Sequence, residues 1–255
     1  MKQERTLSIE GKEYTLLISD EPQALLEAKA SGRAVLGCLD TGNGEGASRD
    51  FQGIPYVVPS MEYVTEELLE LILRRYLGLP WLIDETERLY IREFVKEDAE
   101  NIPEEYGKEE EIFRDPDKLE VYIKNQYGFY EYGTWAVLKK SPSLLIGMAG
   151  VSNPNLPETA LQALPTLPDD LCWLELGYHI FKPYRKNGYA TEAAKAILSY
   201  SHEVLSARLC AWIEAKNKAS CALAESLGME VVKVISDQTA TGWPGAYLLY
   251  AEKMQ

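Results

Sequence analysis

Two histidines, four cysteines and no long apolar run set the first limits on this 255-residue chain. The histidines are His179 and His202, and the cysteines Cys38, Cys172, Cys210 and Cys221 never fall in a Cys-x-x-Cys pair. A zinc site built on Cys and His therefore has little to draw on, and no metal is expected. A disulfide-stapled scaffold is excluded on the same count, and reduced thiols fit a cytoplasmic protein. No stretch approaches the ~18 apolar residues of a membrane span, and the first residues lack the apolar core of a signal peptide. Basic residues are also scarce, 26 against 40 acidic, for a formal net charge of −14. That balance argues against a general binder of nucleic acid or anionic membrane, whose affinity would rest on a basic surface.

What is present is enough to build a core: 46% of residues are hydrophobic, with 16 Tyr and 5 Trp, which excludes a disordered chain. The pattern divides in two. Residues 1–87 carry 8 basic and 16 acidic residues, and residues 88–255 carry 18 and 24. In the first part, residues 14–19, 34–39 and 54–58 read as apolar strands. Residues 21–31 read as a helix capped by Asp20, and 65–77 as an amphipathic helix begun by Thr65 and ended at Gly78. The order implies a small α/β domain of three parallel strands. The second part begins with an alternating strand at 88–94, then a polar helix-prone stretch and a hairpin at 134–138 and 144–151. A proline-rich loop covers 153–170. Beyond it come a strand at 171–181, a helix at 190–205, a strand at 209–214, a helix at 218–227 and closing strands at 231–235 and 247–251.

Two glycine-containing loops invite a phosphate-binding reading. The first, residues 40–46, is followed by more loop and a strand, so it lacks the helix whose amides would hold a phosphate and reads as a connector. The second has that helix. A strand ending Tyr178-His179-Ile180 runs through Arg185-Lys186-Asn187-Gly188-Tyr189-Ala190 directly into a helix. Unpaired amides and the helix dipole there suit a pyrophosphate, Gly188 allows close approach, and Arg185 and Lys186 add positive charge.

This turn resembles the Arg/Gln-x-x-Gly-x-Gly/Ala coenzyme A loop of the GNAT (Gcn5-related) acyltransferases. Residues 175–180, 188–193, 217–220 and 226–229 resemble, in order, successive motifs of the branch that contains ribosomal-protein alanine acetyltransferases. The resemblance spans about residues 88–253 and implies an α/β fold with a mixed central sheet and a splayed parallel strand pair, preceded by the small α/β domain. It also implies acetyl-CoA as acyl donor and an amine-bearing acceptor, either a small molecule or a protein N-terminus. A homodimer is compatible with it.

The family mechanism assigns roles by position. Tyr178, His179 and Ile180 would lie along the pantetheine arm, with the Ile180 amide aimed at the thioester oxygen. The amides from Lys186 to Ala190 would hold the pyrophosphate, and Asn217 and Ser220 would contact the cofactor unless they serve as helix caps. Glu175 is the leading general base for the amine, because a part-buried strand carboxylate can have a raised pKa. Glu214 and His179 are alternatives, and a structural hydrogen bond would also account for Glu175. Many relatives place a tyrosine seven residues after the Asn as general acid; here that position is Ala224. This departure leaves the acid unassigned and keeps open a non-catalytic acyl-CoA sensor. The acceptor pocket would be drawn from residues 106–132 and 238–247, whose aromatics Tyr122, Tyr127, Phe129, Tyr130, Tyr132, Trp243 and Tyr247, with nearby Trp135, either wall it or pack as core.

Overall fold

The computed structural model describes residues 2–40, 50–104, 111–236 and 245–253. The chain forms two compact units, Met1–Trp81 and Leu82–Gln255. Residues 41–46 of the first glycine loop lie outside the described residues, as do Tyr106 and residues 238–244, including Trp243, of the expected acceptor walls.

The first unit is a four-stranded sheet with two main helices. β1 (Lys2–Ile9) pairs antiparallel with β2 (Lys12–Ser19), and β3 (Ala34–Asp40) and β4 (Val57–Ser60) then add in parallel. The parallel trio was legible from its apolar runs. β1 was not, because its burial follows the exposed, mostly polar pattern of an edge strand. Helix α1 (Pro22–Ala30) starts after Glu21 rather than Asp20, with Pro22 in its first turn and no side-chain cap. Asp20 is instead buried. Helix α2 (Glu66–Tyr76) is capped as its sequence implies: the Thr65 hydroxyl accepts from the Leu68 amide at 3.1 Å. Its Leu69, Ile72 and Leu73 pack on one face of the sheet with Leu16, Ile18 and Leu36, while Leu25 and Ala28 of α1 join Leu17 and Val35 in the second cluster.

The second unit is one eight-stranded sheet in the order β11-β12-β10-β9-β8-β7-β6-β5. Its strands are β5 (Leu82–Glu85), β6 (Leu89–Arg92), β7 (Thr134–Lys139), β8 (Leu144–Ser152), β9 (Cys172–Ile180), β10 (Ala207–Glu214), β11 (Met229–Ile235) and β12 (Tyr247–Glu252). β5 pairs antiparallel with β6, so residues 82–85 belong to this sheet although the sequence pattern groups them with the first unit. Short helices α3 (Glu111–Arg114), α4 (Pro116–Tyr122) and α5 (Gly128–Tyr130) follow β6. The proline-rich stretch contains a one-turn helix α6 (Glu158–Leu161), whose Ala160 is buried with Cys210 and Leu249. Helix α7 (Tyr189–Glu203) packs across β8, β9 and β10 through Ala193, Ala194, Ala196 and Ile197. Small side chains there let the helix lie close to the sheet. Helix α8 (Lys218–Ser226) joins β10 to β11.

Every contact between β8 and β9 is antiparallel, as is every contact of β10 with β12; the parallel seam is β9 against β10. That seam is short. It pairs Ala207 with Cys172 and ends at Cys210 with Glu175. Beyond it, β9 continues to Ile180 on β8 and β10 continues to Glu214 on β12, so the two strands part. No helix among the described residues is long and apolar enough to cross a membrane.

Candidate active site

The parted strands open into a groove of about 770 Å³. β9 contributes Tyr178, His179 and Ile180, the loop into α7 contributes Arg185, Lys186, Gly188, Tyr189 and Ala190, and α8 contributes Asn217 and Ser220 at its start. The structure thus brings together ten of the residues singled out from sequence as cofactor contacts. Asn187 is the exception.

The loop has a definite backbone. A short turn, Lys182–Tyr184, is followed by Arg185 in extended conformation, Lys186 at φ 61° and Gly188 at φ 80° as N-cap of α7. The left-handed region is open to glycine and costs other residues about 1–2 kcal/mol, so Gly188 has a backbone reason to be glycine. The first intrahelical bond of α7 runs from the Glu192 amide to the Gly188 carbonyl. The amides of Tyr189, Ala190 and Thr191 precede it and point out of the helix end, which carries the positive pole of the helix dipole. The Asn187 side chain turns inward and donates to the carbonyls of Tyr184 and Arg185, at 3.1 and 3.0 Å. It shapes the loop and leaves the groove to its neighbours. Arg185 also has a structural duty: its Nε donates to the Ile180 carbonyl at 2.7 Å, and its Nη2 lies 3.3 Å from His179 Nε2.

On the strand side, pairing decides which backbone groups face the opening. The Phe181 amide donates to Ile146 on β8, and Ile180 is registered with Gly147. Antiparallel pairs alternate between bonded and non-bonded positions. Ile180 and Tyr178 therefore direct their amides away from β8, toward the gap. The Ile180 carbonyl points the same way, which is why Arg185 reaches it. Among the described residues the buried Tyr178 hydroxyl makes no full hydrogen bond, though it lies against Ser220. Burial pushes its pKa up and outweighs the opposing pull of Ser220.

Asn217 is the N-cap of α8, its Oδ1 accepting from the Ser220 amide at 3.2 Å. Cap and groove wall are thus the same residue, and the two readings of its sequence position are not alternatives. Ser220 likewise lies on the groove while its amide takes the cap.

Glu175 stands at the last paired position before the strands part, opposite Cys210. It is largely removed from water. Burial raises its pKa, only partly offset by the Asn155 amide, which donates to Oε2 at 3.2 Å. The charge of Glu175 and burial together push the Cys210 thiol up to about 12, with burial the larger cause, so that thiol stays protonated. Glu214, at the far end of β10, pairs with Lys216 at 2.6 Å, and neither Glu214 nor Glu175 lines the groove itself. His179 does line it, with its ring 6.0 Å from that of Phe181.

The expected aromatic walls separate into core and surface. Trp135 and Tyr127 are buried; the Tyr127 hydroxyl donates to the Thr134 carbonyl, and the Tyr122 hydroxyl accepts from the Thr134 amide. Phe129, Tyr130 and Tyr132 form an outer cluster with centroid spacings of 4.8 and 5.8 Å, and Tyr132 donates to Asn153 at 2.8 Å. Phe129 is 78% exposed. Tyr247 stacks on Trp212 at 5.2 Å. Among the described residues no group of three or more His, Cys, Asp or Glu is placed to hold a metal ion.

Sequence reasoning missed Asn155, whose backbone holds Glu175, and Arg88 and Thr86, which reach the loop from about a hundred residues away. Thr191, also on the groove, could have been read from its place in the first turn of α7. The other three carry no local signal.

A family model for the acetyltransferase (GNAT) domain matches residues 88–230. The uncharacterized protein YkkB of Bacillus subtilis (strain 168) is 28% identical over 141 residues, which is 49% of this chain and 74% of that protein. Among solved structures, the ribosomal-protein-S5-alanine acetyltransferase of Vibrio fischeri is 15% identical and covers 68% of this chain and 96% of its own, with a TM-score of 0.51. An acetyltransferase (GNAT family) of Bacillus anthracis is 20% identical over 66% of this chain and 95% of its own, with a TM-score of 0.48.

Proposed function

Because the chain belongs to the GNAT acetyltransferase domain family, we propose that its second unit moves an acetyl group from acetyl-CoA to a primary amine. The observation that carries this reading is the parting of β9 and β10, with a helix start of exposed amides at one end and a part-buried carboxylate at the last paired position.

The amides at the start of α7, with Lys186, would hold the diphosphate of the donor, and the gap-facing amides of Tyr178 and Ile180 would pair with its pantetheine arm. An ammonium has no lone pair, so Glu175 first takes one of its protons, directly or through water. The freed amine nitrogen then attacks the thioester carbonyl carbon. As the new C–N bond forms, the carbonyl oxygen gains negative charge, which the Ile180 amide would stabilise. The C–S bond breaks when the carbonyl reforms, the nitrogen gives up its extra proton, and the thiolate takes one up. The net negative charge of the chain would favour a cationic acceptor over an anionic one. A protein N-terminus and a small amine are the two acceptors of this kind.

Titration calorimetry with acetyl-CoA tests the first half of this proposal. Saturable one-to-one binding is expected, weakened by salt as phosphate contacts are screened. No heat at millimolar acetyl-CoA would remove both the transferase and the acyl-CoA sensor.

A further inference from the structure

Arg88 lies just before β6, far in sequence from the loop that enters α7, yet it holds that loop at three points. Its Nε donates to Glu192 Oε2 at 2.6 Å, its Nη1 donates to the Asn187 carbonyl at 3.0 Å, and its guanidinium lies 4.7 Å from the Tyr189 ring centroid. Glu192 is further tied down by the Arg88 amide at 2.9 Å and the Thr86 hydroxyl at 2.6 Å. We infer that Arg88 is the positioning residue of the anion loop, holding its amides toward a diphosphate while neutralising the one carboxylate in the first turn of α7. The inference rests on the acetyl-CoA reading above.

Two physical consequences support it. A trans peptide places C=O and N–H on opposite sides of one plane. Drawing the Asn187 carbonyl toward Arg88, which does not line the groove, turns the Gly188 N–H to the other side, where Gly188 does line it. The second consequence is electrostatic. An acidic residue in a first helical turn steadies the helix but repels a phosphate docked on the same amides. Glu192 escapes that conflict because its charge is shared with Arg88. Burial alone would raise its pKa, but the bonds from Thr86 and Arg88 prevail and hold it below the ordinary carboxylate range. The pair is partly exposed, so its direct contribution to stability is small and its effect is one of position.

The test compares two donors that share the thioester but differ in phosphate: acetyl-CoA and S-acetyl-pantetheine, which lacks the diphosphate. In the full-length Arg88→Met variant, KM and Kd for acetyl-CoA should rise about tenfold, as expected when a charge-assisted bond is lost. The kcat at saturation and the KM for S-acetyl-pantetheine should stay within about twofold of the parent. Arg88→Lys keeps the charge but loses the fork, and should fall between the two. Adding Glu192→Gln to Arg88→Met should recover part of the acetyl-CoA affinity by removing the unshared charge. If Arg88→Met is poorly folded by circular dichroism, Thr86→Val removes one bond to Glu192 and should give a smaller shift of the same kind. Equal losses for both donors, or no loss for either, would overturn the positioning role. A parent protein that binds neither donor would instead refute the acetyl-CoA reading, and the inference with it.

Discussion

Glu175→Gln is expected to lower kcat/KM for the amine by about a hundredfold or more, the usual range for loss of a positioned base, while leaving acetyl-CoA binding intact. The substitution keeps the shape and the hydrogen bond from Asn155 but cannot take a proton. The parent should show an acid limb in its pH–rate profile, because the carboxylate must be ionised to act. Burial raises the Glu175 pKa, so that limb should fall at higher pH than an ordinary carboxylate would give. The variant should lack it. Stability should move the other way. A carboxylate whose pKa is raised on folding destabilises the native state once pH passes its unfolded value, and the penalty is complete above the folded value. Glu175→Gln should therefore melt at a higher temperature than the parent near neutrality. The difference should vanish at acid pH, where Glu175 is protonated in both states. Loss of turnover with gain of stability is a signature that a purely structural glutamate would not give. A variant with unchanged turnover would remove Glu175 as the base.

Gly188→Val is expected to weaken acetyl-CoA binding by about tenfold or more. A β-branched residue at φ 80° costs about 1–2 kcal/mol of backbone strain, and a Cβ there already meets Arg88 Nη2 at 3.4 Å. The loop can relieve both only by rotating the peptides whose amides face the groove. Calorimetry reads the affinity, and the far-ultraviolet circular dichroism should stay close to the parent because the change is confined to one turn. Retained affinity would mean that the diphosphate is held elsewhere.

The two units differed in how much their sequence disclosed. β9, α7, β10 and α8 could be placed to within one or two residues, because each is an uninterrupted apolar or amphipathic run with a turn residue at its end. β1 and β5 could not. Both lie at sheet edges: β1 is mostly polar and exposed, and β5, four residues long, is too short to set a period. The start of α1 was misjudged at Asp20, since a buried aspartate can look like a cap in a string of letters. The position of Ile180 and Gly188 on the groove was legible because strand, turn and helix are consecutive there. The grip of Arg88 and Thr86 on Glu192 was not, since nothing local marks a partner 104 or 106 residues away. Trp135 and Tyr127 are a different case. Their aromatic character left pocket wall and core both open, and their burial makes them core.

Amine-dependent release of free thiol from acetyl-CoA tests the central claim most directly. The full chain would be offered acetyl-CoA and a panel of polyamines, amino acids and peptides with free N-termini, and the products weighed by mass spectrometry. The account predicts that at least one amine class releases thiol in step with its own N-acetylation, and that Glu175→Gln abolishes both. Tight acetyl-CoA binding with no amine acetylated, and thiol release no faster than spontaneous hydrolysis, would contradict it and leave an acyl-CoA sensor in its place.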